Sequence, residues 1–103
     1  MLDRPGHRTL VETPEYTAQR DALVAEYSEN VIGPPLSGLL WGIATNPGQY
    51  DKATANIYRA LSRSLGLTVP ILRIFFGIEN QGEDNEYVLL LWIEQIDESL
   101  GVS

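Results

Sequence analysis

The last third of the chain constrains the fold most. Two apolar runs, residues 70–79 (Pro-Ile-Leu-Arg-Ile-Phe-Phe-Gly-Ile-Glu) and 87–94 (Tyr-Val-Leu-Leu-Leu-Trp-Ile-Glu), flank a polar stretch that carries Gly82 and the acids Glu83, Asp84 and Glu86. Both runs are short and rich in β-branched and aromatic residues, and the segment between them has a turn-forming glycine. That pattern predicts two adjacent antiparallel strands, a β-hairpin. One charge, Arg73, interrupts the first run and is the leading functional residue of the sequence.

Around this hairpin, the remaining residues suffice for one core. A length of 103 residues predicts a single domain over 1–103, with 1–7 and 99–103 as loose ends. Hydrophobic residues at 44% and charged residues at 20% fit a globular chain rather than a disordered one. With no cysteine there is no disulfide framework, thiolate nucleophile or cysteine-based metal site. A single histidine, His7, makes a histidine metal site or a Ser-His-Asp triad an unattractive reading, and no cofactor is expected. The first residues lack the apolar stretch of a signal peptide, and no run reaches the ~18 apolar residues of a membrane span. The default expectation is a cytoplasmic protein.

Charge is distributed unevenly. The net charge is −7, yet Lys52, Arg59, Arg63 and Arg73 fall close together, and no basic residue follows Arg73. An acidic chain is repelled by a phosphate backbone unless its few cations converge. Direct DNA binding and membrane-surface binding are therefore disfavoured, while a local basic patch remains open.

Ahead of the hairpin the pattern is helical. Residues 8–12 have the content of a short strand, and Thr13-Pro14-Glu15 then starts a helix, combining a capping hydroxyl, a proline suited to the first helical position and an acid at the positive helix end. The helix is expected over 14–29, burying Tyr16, Leu23, Val24 and Tyr27, with Glu15, Gln19, Asp21 and Glu26 toward water. The stretch 30–35, with Gly33, Pro34 and Pro35, is expected to stop it. A second helix over 35–45 follows, with Leu36, Leu39, Leu40, Ile43 and Ala44 in an apolar stripe, ended by Asn46-Pro47-Gly48. The two helices are expected as an antiparallel hairpin. The fold class is thus α+β, an N-terminal strand and a two-helix hairpin packed on a small antiparallel sheet.

Residues 56–67 admit two readings. Ile57, Leu61 and Leu65 repeat every four residues, which favours a third helix ended by Gly66. At period two, Ile57, Arg59, Leu61, Arg63 and Leu65 share one strand face instead.

Of the candidates for chemistry, most read as structural. The acids around residues 83–86 and 97–98 lack a metal-loop spacing and suit solvated loops. Trp41 and Trp92 sit in the most apolar helix and strand, so core packing is their expected role, with ligand stacking as the alternative. The Tyr50, Tyr58 and Tyr87 hydroxyls are likewise expected to be structural. Arg73 differs: it lies on an apolar strand, sharing a face with Ile71 and Phe75, and must find a carboxylate or the sheet edge. Either it pairs with an acid such as Glu94, or it offers a cation to a phosphate, with Arg59 and Arg63 contributing if their segment is extended.

The order of elements carries a resemblance. Leu10-Val-Glu-Thr-Pro-Glu-Tyr16 enters the first helix, Leu39-Leu40 through Asn46-Pro47 closes the second, Leu72-Arg73-Ile74-Phe75-Phe76 is an apolar strand with an early arginine, and Val88-Leu-Leu-Leu-Trp-Ile93 is a final strand. Over about residues 8–98 this resembles the RelE/ParE superfamily of bacterial type II toxins. The resemblance implies that residues 56–64 are a strand, overriding the helical period. It implies that Arg73, Arg59 and Arg63 are the phosphate-contacting residues of an mRNA-cleaving site, in which cations stabilise the charge developing on the scissile phosphate. It also implies a cognate antitoxin protein as partner and the ribosome with its mRNA as target. ParE-like members act on gyrase instead. Nuclease members place Lys, Arg or Tyr after the last strand, whereas this chain has Glu94-Gln-Ile-Asp-Glu-Ser99. That departure implies nuclease activity that is weak or lost. The reading from a different class is a noncatalytic interaction domain that holds another protein by a strand edge or a tryptophan-bearing surface.

Overall fold

The computed structural model describes residues 8–63 and 69–96. The expectations for 1–7 (His7 included), for Leu65 and Gly66, for Asp97 and Glu98 and for the tail at 99–103 lie outside those residues. The architecture is α+β, as expected. Strand β1 (Thr9–Glu12) leads into helices α1 (Pro14–Tyr27) and α2 (Glu29–Thr45) and a 3-10 turn (Pro47–Gln49). Strands β2 (Asp51–Lys52), β3 (Tyr58–Leu61), β4 (Ile71–Glu79) and β5 (Tyr87–Ile96) follow. The sheet order is β1-β5-β4-β3-β2. Strands β2 to β5 are antiparallel neighbours, and β1 adds beside β5 in parallel, which makes the sheet mixed. Among the described residues no helix is long and apolar enough to cross a membrane.

The hairpin forms where the apolar runs predict it, as β4 and β5. Its loop reverses through Asn80 (φ 55°) and Gly82 (φ 85°), and the Glu83 N–H donates to the Asn80 carbonyl at 3.0 Å. Left-handed backbone of this kind suits Gly and Asn, whose presence here is what the turn requires.

Helix α1 starts as its sequence predicts. The Thr13 hydroxyl accepts from the Tyr16 N–H at 3.2 Å and donates to the Leu90 carbonyl at 2.9 Å, so one side chain caps the helix and fastens it to β5. Tyr16 and Leu23 are buried and Val24 and Tyr27 pack beside them. Gln19, expected toward water, instead accepts from the Ile93 N–H at 2.9 Å. Strand β1 has ended by that point of β5, and the amide would otherwise lack a partner.

The helix break differs from the expectation. Residues 30–35 are helical and belong to α2, and the chain turns at Ser28 alone. Its N–H donates to the Val24 carbonyl at 2.8 Å, and its own carbonyl accepts from the Val31 and Ile32 amides at 3.2 and 3.1 Å. Ser28 has φ 89° and ψ 156°, a region that costs a non-glycine residue about 1–3 kcal/mol. Prolines at 34 and 35 remove the amides that would bond the Asn30 and Val31 carbonyls, yet a proline φ is compatible with a helix. Burial holds the element together across them, since Ile32 before the prolines and Leu36, Leu39 and Ile43 after them all lie in the core.

Residues 58–61 are a strand, not the helix that the four-residue period favours. Pairing to β4 overrides the local pattern, with Tyr58 opposite Phe76 and Leu61 opposite Arg73. Tyr58 and Ala60 face the core, and Leu61 is 53% exposed.

Both helices cover one face of the sheet. There Leu72, Ile74 and Phe76 of β4 and Val88, Leu90 and Ile93 of β5 meet Tyr16, Leu23, Ile32, Leu36 and their helical neighbours. Tyr58 stacks on Phe76 at 5.4 Å, and Tyr50 meets the same ring edge-on at 6.0 Å. The buried positions of β5 change parity between Leu90 and Ile93. Phe75 lies opposite Trp92 and Phe76 opposite Leu90, so Leu91 is an extra residue, a β-bulge.

Candidate functional site

The bulge decides what the uncovered face of the sheet displays. At strict period two, Val88, Leu90, Trp92 and Glu94 would share the core face. With Leu91 looped out, Ile93 takes the core position, and Trp92 and Glu94 turn to the face opposite α1 and α2, which no helix among the described residues covers. The expected core role of Trp92 therefore fails, and that residue is 44% exposed. Trp41, also expected in the core, is 59% exposed on α2. The apolar stripe of that helix buries Leu39 and Ile43 on either side of it instead.

Two cross-strand rows build the open face. In one, Asp51, Arg59, Phe75 and Trp92 stand in register across β2, β3, β4 and β5; in the other, Leu61, Arg73 and Glu94 do. The Arg73 Nε donates to Glu94 Oε2 at 2.6 Å, and its Nη2 bonds the same oxygen. The other carboxylate oxygen accepts from Trp92 Nε1 at 3.1 Å. The Arg73 guanidinium also lies 5.5 Å from the centre of the Phe75 ring. The arginine is thus committed to a carboxylate, one of the two alternatives its sequence position left open. Its side chain and that of Glu94 are 35% and 32% exposed, so the pair is reachable from solvent.

The three candidate arginines are only partly assembled. Arg59 and Arg73 line one cleft of about 390 Å³ together with Gln49, Tyr50, Asp51 and Leu61. Arg63, beyond the end of β3, lines a second groove of about 430 Å³ on the other side of Leu61, with Pro34, Pro35, Gly38 and Leu39 of α2. Tyr50 and Leu61 form the wall between the two. Among the described residues Arg59 and Arg63 enter no ion pair; the pairs present join Arg8 to Glu86, Arg20 to Glu12 and Asp21, and Arg73 to Glu94.

Chemically, the open face can bind more readily than it can catalyse. Burial pushes the Tyr50 phenol above its ordinary value, the direction that keeps its proton on and removes it from duty as a base near neutral pH. Arg73 has its charge answered by Glu94. Arg59 remains as a donor toward an anion, beside the aromatic surface of Phe75 and Trp92. Among the described residues no group of His, Cys, Asp and Glu side chains is placed to hold a metal ion.

Sequence reasoning named the arginines and Glu94, placed Phe75 on the face of Arg73 and kept a tryptophan-bearing surface as an alternative, but missed the place of Tyr50 and Leu61 in both clefts. A signal for Trp92 was present in Glu94. An unbroken alternation that buries Trp92 buries the carboxylate two residues later, a conflict that one extra residue resolves. Searches against protein-family models, curated proteins and solved structures gave no match.

Proposed function

We propose that this chain is a RelE/ParE-like, cytoplasmic protein of a bacterial type II toxin–antitoxin module. In this reading it holds its cognate antitoxin through the open sheet face, and its nuclease activity is weak or lost. The Arg73–Glu94 pair, capped by the Trp92 indole, carries the reading. A phosphate arriving at Arg73 must displace a carboxylate fixed directly opposite it on the adjacent strand, whereas an aromatic surface rimmed by a satisfied ion pair suits a protein partner. The element order, a strand, two helices and then antiparallel strands whose last member lies beside the first, supports the family part. The reading outside the toxin class, a noncatalytic interaction domain, draws on the same ion pair and predicts the same open face without an antitoxin.

Induced expression in a bacterial host, wild type beside Arg73→Ala, tests the chemistry. The expected result is no cleavage of cellular mRNA by either chain. Cleavage by the wild type that Arg73→Ala abolishes would restore an active nuclease and remove the lost-activity reading. Co-expression with the product of the adjacent reading frame tests the partner: it should copurify with the wild type and not with Trp92→Asp. Elution of the chain alone leaves the interaction-domain reading.

A further inference from the structure

The groove between α2 and β3 is separate from the open face and has its own chemistry. Pro34, Pro35, Leu39 and Leu61 give it an aliphatic part, and Tyr50, Ser62 and Arg63 complete the lining. The prolines stand inside a helix, where each deletes a backbone bond, and Leu61 presents 53% of its surface to solvent. Gly38, also in the lining, has open space where a Cβ would stand. Charge singles out the same corner. In a chain of net charge −7, Lys52, Arg59 and Arg63 have no ion-pair partner among the described residues, and all three lie along β2 and β3 or at their ends. Asp51 stands opposite Arg59 in register but does not reach ion-pair distance.

We propose that this groove receives an acidic, leucine-bearing segment of a partner protein, with an aliphatic side chain between Pro34, Pro35 and Leu61, one carboxylate on Arg63 in the groove and a second on Arg59, which lies past Leu61 in the neighbouring cleft. The inference rests on the reading that the chain binds protein, and it adds a second contact region with a defined chemistry. Charge complementarity selects the occupant: Arg63 in the groove and Arg59 beside it have no ion-pair partner among the described residues of a chain of net charge −7, so a segment carrying a few carboxylates is drawn to this edge. An RNA strand fits less well. Single-stranded RNA wants aromatic platforms for its bases, this lining has one phenol in Tyr50, and a long polyanion meets the field of the whole acidic chain.

The experiment is an NMR titration of the isotope-labelled full chain with a synthetic peptide of alternating Glu and Leu, and separately with oligouridine. The peptide should shift amides of residues 36–39 and 59–63, weakening as salt rises. Reversal of both charges, Arg59→Glu with Arg63→Glu, should cost about tenfold in affinity. Gly38→Leu should abolish binding without lowering the melting temperature, because its side chain enters open groove space and leucine favours a helix over glycine. No peptide-dependent shift up to about 1 mM, the range of the weakest specific contacts, overturns the proposal. So do equal shifts from a Gln and Leu peptide, or stronger shifts from oligouridine at the same amides. Copurification of a partner that survives Gly38→Leu but fails with Trp92→Asp would sink the groove alone and leave the open-face reading standing.

Discussion

The two faces of one sheet differ in what they ask of neighbouring residues. Phe76 and Phe75 are adjacent on β4. Phe76 is fully buried between Tyr58 and Tyr50 under the helices, while Phe75 lies half-buried among Trp92, Arg59 and the Arg73 guanidinium. The covered face is a packing layer in which volume is fixed. The open face mixes aromatic surface with charge and, among the described residues, has no layer above it. Adjacent positions on the same strand therefore differ in how much they hold the fold together, and a substitution reports on one face or the other.

The largest expected effect breaks that comparison directly. Phe76→Ala should lose about 3–5 kcal/mol in urea unfolding, through lost transfer energy and an unfilled cavity under α2. Phe75→Ala should lose under about 1 kcal/mol, the scale of an exposed cross-strand pair. Equal losses at the two positions would show that something covers the open face in solution.

Next in size is an effect of pH on the covered face. Tyr16 is fully buried, its hydroxyl has no hydrogen-bond partner among the described residues, and burial, with help from the Glu12 carboxylate, pushes its phenol up to about 12 from 10.0. Above pH 10 the unfolded chain gives up this proton while the folded chain keeps it, so the unfolded state binds fewer protons and stability falls as pH rises. The contribution is complete below pH 10 and lost by about pH 12, and it amounts to about 2–3 kcal/mol at the end of that window. Tyr16→Phe should flatten most of this loss, leaving the part due to Tyr50, whose phenol is raised by burial as well. At neutral pH the same variant should be as stable as the wild type or more so by about 1 kcal/mol, because it removes an unpartnered buried hydroxyl. A variant that keeps the full alkaline loss would place the titration elsewhere.

The sequence made the covered face largely legible. The Thr13-Pro14-Glu15 start, the stripe from Leu36 to Ala44 and the apolar alternation of β4 each follow from local chemistry, and each appears where its pattern puts it. What stayed hidden depends on partners distant in sequence. Ser28 turns the chain with a backbone that sequence rules assign to glycine, so Gly33 and the prolines drew the break to 30–35 rather than to Ser28. The period of Ile57, Leu61 and Leu65 suggested a helix because nothing local reveals that β4 awaits Tyr58 and Ala60. The bulge at Leu91 is signalled locally only by Glu94, whose charge conflicts with an unbroken alternation, and it alone moves Trp92 out of the core. Of the candidate site, Arg73 with Glu94 was readable as a pair and Phe75 as its neighbour, while the register that brings Trp92 beside them was not.

The smallest expected change in stability carries the most information about the open face. Glu94→Gln keeps an oxygen that can accept from the Trp92 indole but removes the charge held by Arg73. Because both partners are about one-third exposed, the cost in urea unfolding should stay under about 1 kcal/mol. Anion binding should move the other way. With the carboxylate gone, Arg73 and Arg59 line one cleft with their charges unanswered by Glu94, and inorganic phosphate followed by NMR should bind several-fold tighter than to the wild type, which for tenfold is about 1.4 kcal/mol. A matching gain that vanishes in Glu94→Gln with Arg73→Ala would assign it to the released guanidinium. If phosphate binds the wild type and Glu94→Gln equally, the carboxylate is not what keeps anions from Arg73, and the argument that this face has exchanged phosphate chemistry for protein binding loses its main support.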